Sequence, residues 1–143
     1  MEPTEKILEE LTDELVLFFN GFASWESSVI RAGDLTVSEA HAIEVLGQHG
    51  KMNMKSLAQK LGVTTGTTTV TVDRLEKKDY ARRETIKEDR RVNLIVLTKK
   101  GEDAYQEHHQ YHRHLTEQMA ADLSKDEIGQ FLVVLKKINS GTF

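Results

Sequence analysis

The sequence predicts a mainly α-helical protein that carries one small β-hairpin, and three observations predict it. Amphipathic patterns of helical period occupy both ends of the 143-residue chain. Between them, two short helical patterns meet at the turn Gly62-Val63. Directly afterwards, two alternating segments flank a polar loop and read as hairpin strands, with Asp89-Arg90-Arg91 at the tip.

Taken in order, the first helix is expected from about Thr4, its N-cap, to Ala32, with Glu5, Glu9 and Glu10 near the positive end of the helix dipole. Its apolar stripe passes from Ile7 and Leu8 through Leu11, Leu15, Phe18 and Phe22 to Trp25 and Val29. That stripe is too wide for one packing seam, so a second subunit, a ligand or both are expected to cover part of it. Gly33-Asp34 breaks the helix. Thr36 and Glu39 then form a capping box for a second helix that ends near His49, with Ala42, Val45 and Leu46 inward.

Met52-Asn53-Met54 leads into the third helix, Lys55 to Leu61, where Leu57, Ala58 and Leu61 recur at helical spacing and Gly62 is the stop. Val63 is expected to be buried in the turn. Thr64 caps a fourth helix, from about Thr65 to Lys78, whose inward stripe is Thr68, Val72 and Leu75. Six threonines crowd the start of this helix, Thr64, Thr65, Thr67, Thr68, Thr69 and Thr71, although β-branched residues are poor helix formers. Short hydroxyl side chains do suit close approach to phosphates, base edges and thymine methyls. Thr65, Thr67, Thr69 and Val70 are therefore expected on the outward face.

The hairpin strands are expected at Tyr80–Glu84 and Arg91–Leu97, around the loop Thr85–Arg90. A fifth helix follows from about Glu102 to Leu123. Ser124 and Glu127 form a second capping box for a last helix to about Asn139, with Ile128, Phe131, Leu132, Leu135 and Ile138 at helical spacing. One unit of this length is enough for a core, organised as terminal helices 1–33 and 101–143 around a lobe at 34–100.

Charge divides along the same line. Residues 51–100 carry 13 Lys/Arg and 6 Asp/Glu, a net of +7, whereas the remainder carries 6 and 17, a net of −11. An acidic protein with its positive charge gathered on one lobe has the footprint of a phosphate-backbone binder. Two helices joined by a short Gly-containing turn, with the second entering the major groove, supply the matching motif. The chain has no cysteine, so no disulfide and no thiol nucleophile. A Gly-rich phosphate loop and a recognisable catalytic carboxylate pair are also missing, which argues against an enzyme. No membrane span or signal peptide is expected, and the cytoplasm is the expected compartment.

Leu61-Gly62-Val63, Asp73-Arg74-Leu75-Glu76, Arg82-Arg83, Asp89-Arg90-Arg91 and Leu97-Thr98-Lys99-Lys100-Gly101 resemble the winged helix-turn-helix core of the MarR family of bacterial transcriptional regulators. The resemblance extends over nearly the whole chain. It implies a dimer that reads a pseudo-palindromic duplex DNA operator, with the terminal helices as the dimerisation region. The expected contact set is Thr64, Thr65, Gly66, Thr67, Thr69, Val70 and Arg74 on the reading helix, with Asp89, Arg90 and Arg91 on the wing. Arg90 is expected to reach the minor groove, oriented by Asp89, while Arg91 makes a backbone contact or an internal ion pair.

Within the family, Val63-Thr64, Gly66-Thr67 and Glu88-Asp89-Arg90-Arg91-Val92 are similar to the repressors of fatty-acid biosynthesis, which implies a long-chain acyl-acyl-carrier-protein as corepressor. Phe18, Phe22, Trp25 and Val29, with His41, His108 and His112, are the candidate effector pocket; Arg82-Arg83 and Lys77-Lys78 are patches for the acidic carrier. The histidines leave a second possibility open. His108 and His112 stand four apart on one helix face and can chelate zinc, with Glu26 or Glu107 to supply an oxygen; together with His41 they resemble the histidines of zinc-responsive family members, apart from the missing cysteine. His109 and His114 are expected to face solvent. The expectation is no resident cofactor, with zinc as the alternative.

Overall fold

The computed structural model describes residues 2–31 and 33–142. The described elements are α1 (Pro3–Ile30), α2 (Val37–His49), β1 (Met52–Asn53), α3 (Met54–Leu61), α4 (Thr65–Lys77), β2 (Ala81–Thr85), β3 (Asn93–Leu97), α5 (Lys99–Ala120) and α6 (Lys125–Thr142). They fall into two compact units, one running to Tyr105 and one beginning at Gln106. No described helix is long and apolar enough to cross a membrane.

In the first unit, Ile43 and Leu46 of α2, Leu57 of α3, and Val72 and Leu75 of α4 close over Ile95 and Leu97 of β3. The sheet order is β1-β3-β2, all antiparallel, with Met52 opposite Ile95 and Arg83 also opposite Ile95. β3 is thus the central strand, and alternation puts Ile95 and Leu97 on the core face. Thr85 Oγ1 donates to Asn93 Oδ1 at 3.1 Å at the outer end of the hairpin.

Helix ends follow local chemistry. Thr36 accepts from the Glu39 N–H at 3.2 Å while the Glu39 carboxylate accepts from the Thr36 N–H at 3.1 Å, the expected capping box. Ser124 and Glu127 repeat it in the second unit. There the backbone N–H of Ser124 holds the exposed Glu127 carboxyl below its ordinary pKa. Both α3 and α4 end in Schellman motifs: Val63 N–H returns to the Ala58 carbonyl, and Tyr80 N–H to that of Leu75. Gly62 takes the left-handed position in the first, at φ 70°, and Asp79 in the second, at φ 65°.

Several boundaries differ from expectation. The cap of α1 is Glu2 rather than Thr4, because Pro3 suits the first helical position and the Glu5 carboxylate accepts from the Glu2 N–H. The helix reaches Ile30; the expected last residue, Ala32, lies outside the described residues. The helix α5 starts at Lys99 instead of Glu102, since Thr98 caps it through its hydroxyl to the Gly101 N–H and its carbonyl to the Glu102 N–H. It stops at Ala120, before Leu123. Gly101 is buried against the Tyr80 carbonyl and Leu97, where a Cβ would collide, so the glycine after Lys99-Lys100 is a packing requirement. The helix α6 continues past Asn139 to Thr142.

Candidate nucleic-acid interface

The helix α4 has two sharply different faces. Thr68, Thr71, Val72 and Leu75 are buried, and Thr68, Val72 and Leu75 are the predicted inward stripe. Gly66, Val70, Asp73, Arg74 and Lys77 are exposed and recur at the three- and four-residue spacing of one helix face, with Thr69 half-buried beside them. Thr64, Thr65 and Thr67 lie exposed at the N-terminal end. Val63 differs from its predicted burial: it is 45% exposed. The Schellman turn commits its N–H to Ala58 and Thr64 already caps α4, so Val63 stands at the apex of the turn rather than beneath it.

The threonine hydroxyls are largely occupied within the helix. Thr64 Oγ1 accepts from the Thr67 N–H at 3.2 Å and lies 3.0 Å from Thr67 Oγ1. Thr68, Thr69 and Thr71 donate to the carbonyls of Thr64, Thr65 and Thr67, four residues back. Thr65 is the member of the cluster with a free hydroxyl among the described residues.

Arg83 performs a task that the sequence did not reveal. Its Nη2 donates to Asp73 Oδ1 at 2.8 Å and its Nη1 to Glu76 Oε1. The hydrogen bond to Asp73 comes first among the interactions that hold the guanidinium proton more firmly than usual, with the Glu76 charge adding to it against a burial penalty. Asp73 lies on the exposed face of α4, where an unpaired carboxylate would repel phosphate; Arg83 neutralises it and clamps β2 to α4. Local sequence carries no sign of this, because the pairing depends on strand register. It also corrects the reading of Arg82-Arg83 and Lys77-Lys78 as open basic patches. Arg83 is committed to two carboxylates, Arg82 Nη2 lies 3.7 Å from Glu84, and Lys78 is bound to Glu39 and the Asp34 carbonyl. Lys77 and Arg74 stay free among the described residues.

At the hairpin tip, the Val92 N–H donates to the Asp89 carbonyl at 3.1 Å, closing a tight turn. Asp89 Oδ1 accepts from Arg91 N at 3.0 Å and from Arg91 Nε at 3.2 Å. The internal ion pair expected of Arg91 is therefore present. Contrary to expectation, Asp89 does not orient Arg90: the backbone N–H two residues on is within easy reach of an Asp side chain and draws the carboxylate to Arg91. Arg90 is exposed and unpaired among the described residues.

The effector candidates divide between the units. In the first, Phe18 stacks on Phe22 with ring centroids 6.3 Å apart, and Phe22 lies 5.5 Å from Trp25, an aromatic ladder along α1. Val29 is half-buried on the same helix, and His41 Nε2 lies 3.1 Å from Glu26 Oε2. In the second, His108 Nε2 and His112 Nε2 are 3.0 Å apart across one helical turn. Glu107 accepts from the Tyr111 hydroxyl at 3.3 Å. His109 and His114 are exposed, as expected.

A capped helix-turn-helix backed by a three-stranded sheet whose hairpin projects a free arginine defines a winged helix-turn-helix protein. Residues 35–92 match the model of the MarR family. It is 36% identical over 72 residues to the transcriptional regulator SarZ of Staphylococcus haemolyticus, a match covering 50% of this chain and 49% of SarZ. The chain spans about half the length of the curated relatives it matches. Its fold is similar to that of Streptococcus pneumoniae FabT in complex with DNA, with a TM-score of 0.85, 28% identity, and coverage of 93% of this chain and 95% of FabT. A MarR family protein of Bacillus stearothermophilus matches with a TM-score of 0.84 and 25% identity, covering 98% and 96% of the two chains. SarZ is an HTH-type transcriptional regulator.

Proposed function

We propose that the protein is a transcriptional repressor that binds a pseudo-palindromic duplex operator as a homodimer. The observation that carries this reading is the outward face of α4, free of uncompensated negative charge at Asp73, with Arg74 and Lys77 unpaired beside it. Thr64, Thr65, Gly66, Thr67, Thr69 and Val70 would meet the major groove, Arg90 the adjacent minor groove, and Asp89 and Arg91 the intervening backbone. Exposed apolar residues on α1, such as Leu8, Leu11 and Leu15, and on α6, such as Phe131, Leu132 and Leu135, support dimerisation through the terminal segments. The test is anisotropy titration of labelled duplex at increasing salt, with sedimentation analysis of the free protein. Salt-dependent binding of one dimer per operator is expected; a monomer with no affinity for duplex DNA rules the reading out.

For the effector, we favour a long-chain acyl group on an acyl carrier protein acting as corepressor at fatty-acid biosynthesis genes. The support is the likeness to FabT and the apolar ladder Phe18, Phe22, Trp25. One observation favours zinc as a second reading. Two imidazole nitrogens 3.0 Å apart approach the roughly 3.3 Å spacing that tetrahedral zinc requires with Zn–N bonds of about 2.0–2.1 Å. His108 and His112 fit half of such a ligand set; His41 and Glu26, the other two members proposed from sequence, lie 3.1 Å apart in the first unit.

A further inference from the structure

We infer that Thr69 and Val70 read thymine C5-methyl groups, so that the half-site under the centre of α4 is specified by methyl contact more than by hydrogen bonding. This deepens the DNA-binding reading and rests on it. The threonine cluster looks, by composition, like a hydrogen-bonding surface. The folded helix offers something else. The Thr69 hydroxyl proton is committed to the Thr65 carbonyl at 2.8 Å, which leaves a methyl as the distinctive group of that side chain. Val70 has no polar atom at all beyond its backbone and is 50% exposed in the middle of the outward face. Gly66, one turn earlier on the same face, has no Cβ and allows close approach.

A β-branched apolar residue on an exposed helix face has neither a propensity nor a solvation advantage. In the major groove, only thymine presents an apolar group, its C5 methyl, and threonine methyls and small apolar side chains are its natural contacts. The charged members of the face, Arg74 and Lys77, lie further along the helix and suit the phosphate backbone. Thr65, with its free hydroxyl at the first turn, is the member of the cluster suited to a polar contact.

Purified full-length protein should first enrich a duplex from a random library. Each thymine of that duplex is then replaced singly by deoxyuridine, which removes only the methyl group. At least one thymine in each half-site should lose about three- to fivefold in affinity when its methyl is removed. Val70→Ala should bind the thymine duplex more weakly and lose most of its sensitivity to uridine at that position. Thr69→Ser keeps the hydroxyl bond to Thr65 and should lose sensitivity at a neighbouring thymine. If the enriched duplex binds but no uridine replacement matters, or both variants keep the full sensitivity, methyl readout is overturned and DNA binding survives. If no duplex is enriched or bound, both are overturned.

Discussion

Lys78 Nζ lies 2.7 Å from Glu39 Oε2 and also donates to the Asp34 carbonyl, tying the end of α4 to the start of α2. The Glu39 carboxylate is 1% exposed, and its other oxygen has no partner among the described residues. Removing the cation therefore strands a buried charge. Lys78→Met should destabilise the fold by about 3 kcal/mol, the low end of the ~3–5 kcal/mol range, because the lysine itself remains 30% exposed. Adding Glu39→Gln, which keeps the capping oxygen, should recover much of the loss in urea denaturation. Equal stability of the single and double variants would contradict a charge-based tie.

Asp34 titrates below its ordinary value, first because the Tyr80 hydroxyl donates to its carboxylate at 2.5 Å, with Lys100 and Lys78 assisting against the penalty of burial. A depressed folded-state pKa means that the contribution is complete above the unfolded value of 3.8 and is lost as pH falls through the folded one. Stability should thus decline in acid partly through Asp34. Tyr80→Phe should flatten that part of the stability curve below about pH 4 and change its shape little near neutrality. Urea midpoints measured across the acid range decide it; parallel curves for the two proteins would refute the assignment.

Arg90 is an unpaired cation at the hairpin tip among the described residues, since Asp89 is taken by Arg91. Arg90→Ala should lower affinity for duplex DNA and reduce the slope of log affinity against log salt by about one unit. Helix content by circular dichroism should stay constant. An unchanged slope and affinity would mean that the wing tip does not reach DNA.

Among the described residues Thr65 has a free hydroxyl, whereas the Thr67 hydroxyl accepts from that of Thr64. Thr65→Ala should weaken specific binding by roughly 1–3 kcal/mol while leaving random-sequence binding nearly unchanged. Thr67→Ala should lose less specificity and more helix stability, because its hydroxyl contacts Thr64. Equal losses on specific and random duplex for Thr65→Ala would make it a backbone contact.

The two effector readings part on chelation and pH. If zinc controls operator binding, a chelator should abolish it. Binding should also weaken in acid, because zinc needs unprotonated imidazoles and competes with protons for them. His108→Ala with His112→Ala should remove that dependence. With an acyl corepressor, chelation has no effect, and a long-chain acyl carrier protein tightens operator binding where the unacylated carrier does not. Native mass spectrometry of the purified protein reads the mass of a bound zinc ion or lipid directly.

Local chemistry was legible in the sequence. The capping pairs Thr36/Glu39 and Ser124/Glu127, the stop at Gly62, and the inward stripe Thr68, Val72, Leu75 each depend on residues within a few positions of one another. The exposure of Val70 and the charged lobe were legible for the same reason, since helical period and composition need no distant partner. Only tertiary structure decided what depends on register and packing between elements. Arg83 meets Asp73 and Glu76 because β2 is set against α4. Lys78 finds Glu39 across 39 positions of sequence. Gly101 must be bare because the chain at Tyr80 passes beside it. Even within one helix, spacing gives the direction of a threonine but not the partner of its hydroxyl. That partner was chosen by competition between backbone carbonyl and solvent, and Thr68, Thr69 and Thr71 turned their hydroxyl protons inward to the helix's own carbonyls.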